Sequence, residues 1–274
     1  MEEVLLQDQL TGLISTTTGN LTLIDTESGV QLYSNTLQDI GIDVKEDNKK
    51  IQGGIGNPVI YSWGENRQIT VSISDAVSKL NWTAAKLGQE LKKGKVLAFK
   101  EAKTYVVSKS LVKLDVVPAP DVTLKIFDLE KGNLIDKSKF TLADGTITFS
   151  DSTIADGSKV YINGYNIEVN DAIFVDIDSN KFAKTFEVVI TNPIVTIKDG
   201  KPSTKFMRQY RFPLGRLSGD FKDDMKSKSD GGKMDSKIEI MKPITDSKMG
   251  RIMVLPVSAF DSNELQSMGL LKKS

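Results

Sequence analysis

The 274-residue sequence contains no cysteine and no histidine. Without cysteine there is no disulfide framework and no thiolate nucleophile, and without either residue a zinc site of the ordinary kind is excluded. Acid/base work near neutral pH would fall to carboxylates or lysines with strongly shifted pKa values. Charge of either sign is not in excess: Lys plus Arg number 36, and so do Asp plus Glu. This balance excludes a global attraction for nucleic acid or an anionic membrane. It also leaves little self-repulsion, which suits a protein that packs against copies of itself. Long apolar runs are missing too. No stretch approaches the roughly 18 apolar residues of a membrane span. The opening "MEEVLLQDQL" is acidic, so no secretory signal is expected there. What remains is 39% hydrophobic and 26% charged residues, the range of a globular chain able to form one large domain or two modest ones.

Strand signals dominate. "NLTLIDT" and "GVQLYSN" are separated by Glu27, Ser28 and Gly29 and read as a hairpin. "DIGIDVKEDNKK" is expected to end in a charged turn. "PVIYSW" stops at Gly64, Glu65 and Asn66. "RQITVSIS" then alternates, with Ile69, Val71 and Ile73 on one face and Gln68, Thr70, Ser72 and Ser74 on the other. From Lys95 onward short strand-like runs alternate with breaks such as "EKGN", "LADG", "IADG" and "DSNK", which carry turn residues. This pattern predicts a mainly β fold, a sandwich or barrel. "KIEIMKP" and "RIMVLPV" finish the sheet, and "AFDSNELQSMGLLKKS" reads as a helical tail.

One flanking α-helix is expected in "DAVSKLNWTAAKLGQELKK". Ser74 or Asp75 serves as N-cap, and Val77, Leu80, Ala84, Leu87 and Leu91 recur at helical spacing. Gly88 weakens its end. Trp82 and Trp63 are assigned to the core.

Several stretches suggest chemistry. In "IQGGIGNPVIYSW", Gly54 and Gly56 match the first two glycines of a dinucleotide fingerprint, but Val59 stands at the third. Pro58 and a strand follow instead of a helix, so the stretch is a loop entering a hairpin. "DIDSNKFAKTFE" places Asp176, Asp178, Asn180 and Glu187 at calcium-loop positions 1, 3, 5 and 12. Lys181 occupies the position of the turn glycine, and the flanks are strands, so a hairpin turn between "AIFVDID" and "KTFEVVI" is expected. "KDDMKSKSDGGKMDSK" is a solvated loop with balanced charge. Residues 218–237 are expected to be mobile in a free subunit and ordered on assembly.

In "TKFMRQYRFPLGRL", Phe206, Tyr210, Phe212 and Leu214 fall on one strand face. With Phe221, Ile238 and Ile240 downstream, they are candidates for protomer core or subunit interface. Arg208 interrupts that face and would need a carboxylate partner if buried. Pro213 has no N–H, so the strand should end or bulge there. No catalytic, cofactor-binding or metal-binding residue is assigned.

The order of parts resembles the major tail tube proteins of bacteriophages and related contractile systems. The resemblance rests on "PVIYSWGENRQITVSISDAVSKLNWTAAKLG" and on "KFMRQYRFPLGRLSGDFKDDMKSKSDGGKMDSKIEIMKP". In the second, a strand ends in a "P-x-G-R" corner, passes "GDF" and a polar loop, and returns as a strand ending in proline. It implies a β-sandwich protomer with a flanking helix over residues 1–274, with 118–180 as an inserted immunoglobulin-like element. It further implies hexameric rings with a continuous inner β-barrel, stacked into a tube. The partners implied are further copies of the chain, a tape-measure protein, other tail proteins and a sheath. DNA is in transit only, no membrane is involved, and there is no cofactor. The location implied is the virion tail, after synthesis in the host bacterial cytoplasm. A β-rich module for cell-surface or carbohydrate adhesion, or a capsid decoration protein, is the alternative; it would show clustered exposed aromatics or the calcium loop. An enzyme would show two carboxylates converging in a cleft.

Overall fold

The turn after β2 shows how the strands are punctuated. In "DTESG" the Asp25 carboxylate accepts hydrogen bonds from the N–H groups of Glu27 (2.9 Å) and Ser28 (3.1 Å). The related "DLEKG" repeats this, with Asp128 accepting from Glu130 (2.9 Å) and Lys131 (3.2 Å). An aspartate at the strand end thus satisfies two turn donors and reverses the chain.

The computed structural model describes residues 13–15, 17–150, 154–198, 201–220 and 234–268. The chain begins with β1 (Leu13–Ser15), β2 (Asn20–Asp25), β3 (Gln31–Ser34), β4 (Leu37–Gln52), β5 (Val59–Asp75) and helix α1 (Leu80–Lys86). Nine further strands follow: β6 (Lys92–Lys100), β7 (Lys103–Val106), β8 (Leu111–Lys113), β9 (Ile126–Asp128), β10 (Asn133–Leu134), β11 (Phe140–Ala143), β12 (Thr146–Phe149), β13 (Lys159–Ile162) and β14 (Tyr165–Phe174). The chain ends with β15 (Thr185–Lys198), β16 (Lys201–Leu217), β17 (Met234–Ile240), β18 (Arg251–Pro256) and helix α2 (Ser262–Ser267).

These elements divide into two units, Met1–Leu91 with Val175–Ser274, and Lys92–Phe174. The first holds a nine-stranded antiparallel sheet in the order β3-β2-β15-β16-β17-β5-β4. β1 extends the β2 edge of β15, and β18 extends the β17 edge of β16. Alternation sets its inner face. In β17, Met234, Ser236, Ile238 and Ile240 are buried while Asp235, Lys237 and Glu239 are exposed. In β5, Val71 and Ile73 are buried and Ile69 packs against the same core, as the period of "RQITVSIS" predicts. Leu21, Leu23, Phe186, Val188, Ile190 and Leu217 complete that core with Trp82 of α1, which is fully buried.

The second unit has a core of its own. A four-stranded sheet, β10-β9-β13-β7, and a three-stranded sheet, β11-β12-β8, supply Ile126, Val160, Ile162, Val112, Ile147 and Phe149 to one cluster. β6 and β14 form a two-stranded ribbon that begins and ends the unit, with Lys92 opposite Phe174.

Four expectations are corrected. The helix does not begin at Ser74 or Asp75. Asp75 closes β5, fully buried, and its carboxylate accepts from Ser34 Oγ, Thr36 Oγ1 and the N–H of Val77. α1 therefore starts at Leu80, leaving Val77, Leu80 and Leu91 exposed, and its last turn closes at Gly88, where φ is +67°. A Cβ at Gly88 would collide with the carbonyl oxygen of Phe182, so only glycine fits this close approach.

The second correction concerns "KEDNKK", which is strand, not turn. It pairs along its length with β5, and "PVIYSW" and "RQITVSIS" form one strand joined by a bulge. There Glu46 opposes both Asn66 and Arg67, and Asn66 takes a φ of +53°. The charges are tolerated because this part of the hairpin is exposed on both faces. Lys49 lies 3.3 Å from Glu65, and Arg67 Nε donates to Glu46 at 2.9 Å.

Third, "AIFVDID" and "KTFEVVI" do not form a hairpin. β14 pairs with β6, and β15 pairs with β2 and β16, so the segment between them links one unit to the other. Fourth, Trp63 is not a core residue. It is 40% exposed and stacks on Tyr61, with ring centroids 5.8 Å apart. Most of the polar loop 218–237, namely residues 221–233, lies outside the described residues.

Candidate assembly surfaces

β4 and β5 build a surface that the core of the first unit does not use. Near their base Ile40, Ile42 and Ile69 pack on that core. Beyond Asp43 the two strands continue as a ribbon to the Gly53–Pro58 turn. Gly54 and Gly56 have φ of +85° and +86°, so the glycines of this stretch serve a reversal of the chain rather than a phosphate cradle. Cross-strand register puts Ile51 opposite Tyr61 and Lys49 opposite Trp63. Ile51, Tyr61 and Trp63 therefore share one face, all exposed, while Ile60, also exposed, sits at a register shift and Ile55 stands at the tip. An isolated two-stranded ribbon with this much bare apolar surface lacks the packing that stabilises a sheet.

The candidates picked from sequence occupy different environments. Phe212, Ile238 and Ile240 are buried in the core of the first unit. Tyr210 is half-buried and packs against that core; Leu214 and Phe206 are half-buried. Phe221 lies outside the described residues. Register places Phe212 opposite Val188, Tyr210 opposite Ile190, Arg208 opposite Asn192 and Phe206 opposite Ile194. At Pro213 the strand bulges, since Pro213 and Leu214 together oppose Glu187, as its missing N–H predicts. Sequence inspection did not single out Met207, which is fully buried on the opposite strand face from Phe206 and Arg208. Alternation points away from it, because Met207 shares its strand face with the polar Gln209 and Arg211.

Between β4 and the β15–β16 pair lies a cavity of about 460 Å³. Ile40, Ile42 and Ile190 form its apolar side, and Asn192, Arg208 and Tyr210 its polar side. Ser15, Thr17, Thr18 and Asp39 complete the lining. Among the described residues, the Arg208 guanidinium finds no carboxylate and donates to Tyr210 Oη at 3.1 Å.

Charged groups in the first unit otherwise serve structure. Burial would raise the Asp25 carboxyl, but the hydrogen bond from Lys184 and the N–H groups of Glu27 and Ser28 outweigh it and lower it to about 2. Asp75 is likewise held below its ordinary value, its burial outweighed by Ser34, Thr36, the Val77 N–H and Lys79. Lys86 is pushed down by burial and donates to the Asp235 carbonyl at 2.8 Å. The calcium-loop candidates are engaged separately: Asp178 accepts from the Asn180 N–H at 2.9 Å, and Glu187 accepts from Arg211 on β16. Among the described residues, no three acidic, histidine or cysteine side chains cluster as a metal site, and no helix is long and apolar enough to cross a membrane.

A family model, the YomU/Tube protein family, matches residues 14–255. The chain belongs to that family. The match spans the nine-stranded sheet, α1 and the whole second unit, and it assigns the chain to the phage tail tube proteins. No match was found among curated proteins. The tube family resemblance therefore holds across the two units rather than only at the two stretches that first suggested it.

Proposed function

We propose that this tube-family chain is the structural subunit of a bacteriophage tail tube. It assembles into hexameric rings that share a continuous inner β-barrel, and the rings stack into a hollow tube. The tube surrounds a tape-measure protein during assembly and passes DNA on ejection, together with other tail proteins and, in a contractile tail, a sheath. It works without a cofactor, catalysis or membrane. In this reading the stretch 118–180, an inserted immunoglobulin-like element, falls largely within the second unit.

The observation that carries the proposal is the β4–β5 ribbon. Its outer half leaves the core of its own chain and exposes Ile51, Ile55, Ile60, Tyr61 and Trp63. A surface of that kind is stable when another subunit covers it. Among the described residues the outer edges of β3 and β4 carry no partner strand, and pairing them with a neighbour removes the aggregation hazard of a long open sheet. Purified protein concentrated and viewed by negative-stain microscopy should show rings or tubes. Monodisperse monomer at every concentration and salt tested would overturn the proposal.

The stacked Tyr61–Trp63 pair favours a second reading, a sugar-binding platform on an adhesion module. Glycan-array binding that is lost in Trp63→Ala would support it. The bare aliphatics Ile51, Ile55 and Ile60 on the same ribbon favour protein packing instead, because a sugar platform needs aromatic faces and not exposed isoleucines.

A further inference from the structure

The cavity beside β15 and β16 is lined by polar groups that the subunit itself does not satisfy. Asn192 is 6% exposed, and its Nδ2 donates to Ser15 Oγ at 2.6 Å. Its Oδ1 is buried and accepts no hydrogen bond among the described residues. An acceptor left so is costly, about 1–3 kcal/mol. Directly across the strand pair stands Arg208, half-buried, whose only partner among the described residues is the neutral Tyr210 hydroxyl. Side chains opposite one another in such a pair lie roughly 5 Å apart. The site therefore sets a cationic fork without a counter-charge beside an amide oxygen that the subunit encloses and leaves unpaired. Asp39, exposed, adds one negative charge to the lining.

We propose that this cavity receives an acidic residue from a second copy of the chain, an aspartate or glutamate next to a lysine. The carboxylate accepts from Arg208 and the lysine is held by Asp39, while the Asn192 amide, whose Oδ1 is closed over in the free subunit, turns to accept the entering residue's backbone N–H. A simple dianion fits poorly, because Asp39 repels it. A neutral peptide fits poorly, because it leaves Arg208 without a counter-charge. The chain itself supplies the required pairing: its charges balance, and an acidic residue adjoins lysine at Glu130–Lys131. The proposal rests on the tube reading for its choice of a second copy.

Two measurements separate this site from that reading. In the first, labelled wild-type protein is titrated with acetyl-Glu-Lys-amide and with acetyl-Gln-Lys-amide, followed at the Asn192 side-chain amide and the Arg208 Nε resonances. The glutamate peptide should shift both and bind about tenfold more tightly than the glutamine peptide, a difference of roughly 1.4 kcal/mol. No shift at Asn192, or equal binding of the two peptides, overturns the site whether or not tubes form. The second measurement is the concentration at which scattering reports assembly. Arg208→Met should raise it about tenfold with an unchanged melting temperature, and Arg208→Lys should recover part of the loss. If Arg208→Met assembles like wild type while the peptide still binds, the occupant is another protein and the second-copy proposal falls. If Arg208→Met does not fold, Arg208→Gln replaces it, and the peptide comparison on wild type stands regardless. Failure of wild type to assemble at all sinks the tube reading and, with it, the choice of a second copy.

Discussion

Asp25 is the residue whose chemistry reaches furthest beyond its own turn. It ties the β2 turn to Lys184 at 3.0 Å, just before β15, and Lys184 lies 3.4 Å from Glu90. Its folded-state pKa of about 2 lies below the unfolded value of about 3.9. The folded state therefore binds this proton less readily than the unfolded chain. The stabilisation is fully present above the unfolded value and is lost as pH falls from about 4 through about 2, on the order of 2 kcal/mol in all. Asp25→Asn should lower the melting temperature at pH 7 and flatten its dependence on pH in that acidic window. An acid melting profile that keeps its wild-type slope in the variant would contradict this assignment. Phe212 is a packing residue by comparison. Buried beside Val188 in the core, it makes Phe212→Ala cost about 3–5 kcal/mol, measured by denaturant unfolding of the free subunit. An unchanged unfolding midpoint would show that Phe212 does not hold this sheet.

The long β4–β5 hairpin is the element where stability and assembly separate. Its base packs on the core and its outer half does not. Tyr61→Ser with Trp63→Ser should leave the melting temperature of the subunit within about 2 °C, since neither side chain is buried. The same pair should abolish or strongly weaken ring or tube formation, read by microscopy and sedimentation. Tubes of normal yield from the double variant would mean that this face stays in solvent. Parts of this element are legible in the amino-acid sequence. Alternation in "RQITVSIS" marks a half-buried strand, and the glycines at 54 and 56 mark a turn. Its full length is not legible. Charge in "KEDNKK" resembles a turn because most strands are buried on one face, and this stretch is buried on neither. Helix α1 departs in the opposite direction. Its helical periodicity continues on paper from Val77 to Leu91, but Asp75 is consumed by Ser34 and Thr36, and Gly88 closes the last turn against Phe182.

At the scale of the whole molecule, the second unit enters and leaves through one strand pair. Lys92 and Phe174 are opposite each other in the β6–β14 ribbon, so cutting there separates ends that already lie side by side. The unit has its own core, including Tyr165, whose hydroxyl is pushed up to about 12 by burial, with help from Tyr105 and Asp115. Residues 92–174 expressed alone should fold with a single cooperative transition. Because Tyr165 resists ionisation when folded, that unit should lose stability as pH rises above about 10, where the unfolded chain releases the proton. Non-cooperative melting of the fragment would show that the two units depend on each other.

Local chemistry was enough to determine the β class, the hairpin turns built on Asp25 and Asp128, the bulge at Pro213 and the buried faces of β5 and β17. Each follows from a periodicity or a turn preference that acts within a few residues. Strand order was beyond its reach, because β2 finds β15 across more than 150 positions and nothing in either strand names the other. The cavity was equally invisible. Arg208 stood out in the sequence as a cation on an apolar face, but Asn192, Ser15 and Asp39 become its neighbours only when β4 folds over β15 and β16. Contacts between residues so far apart are decided by which faces can be buried together, and only the folded sheet settles that.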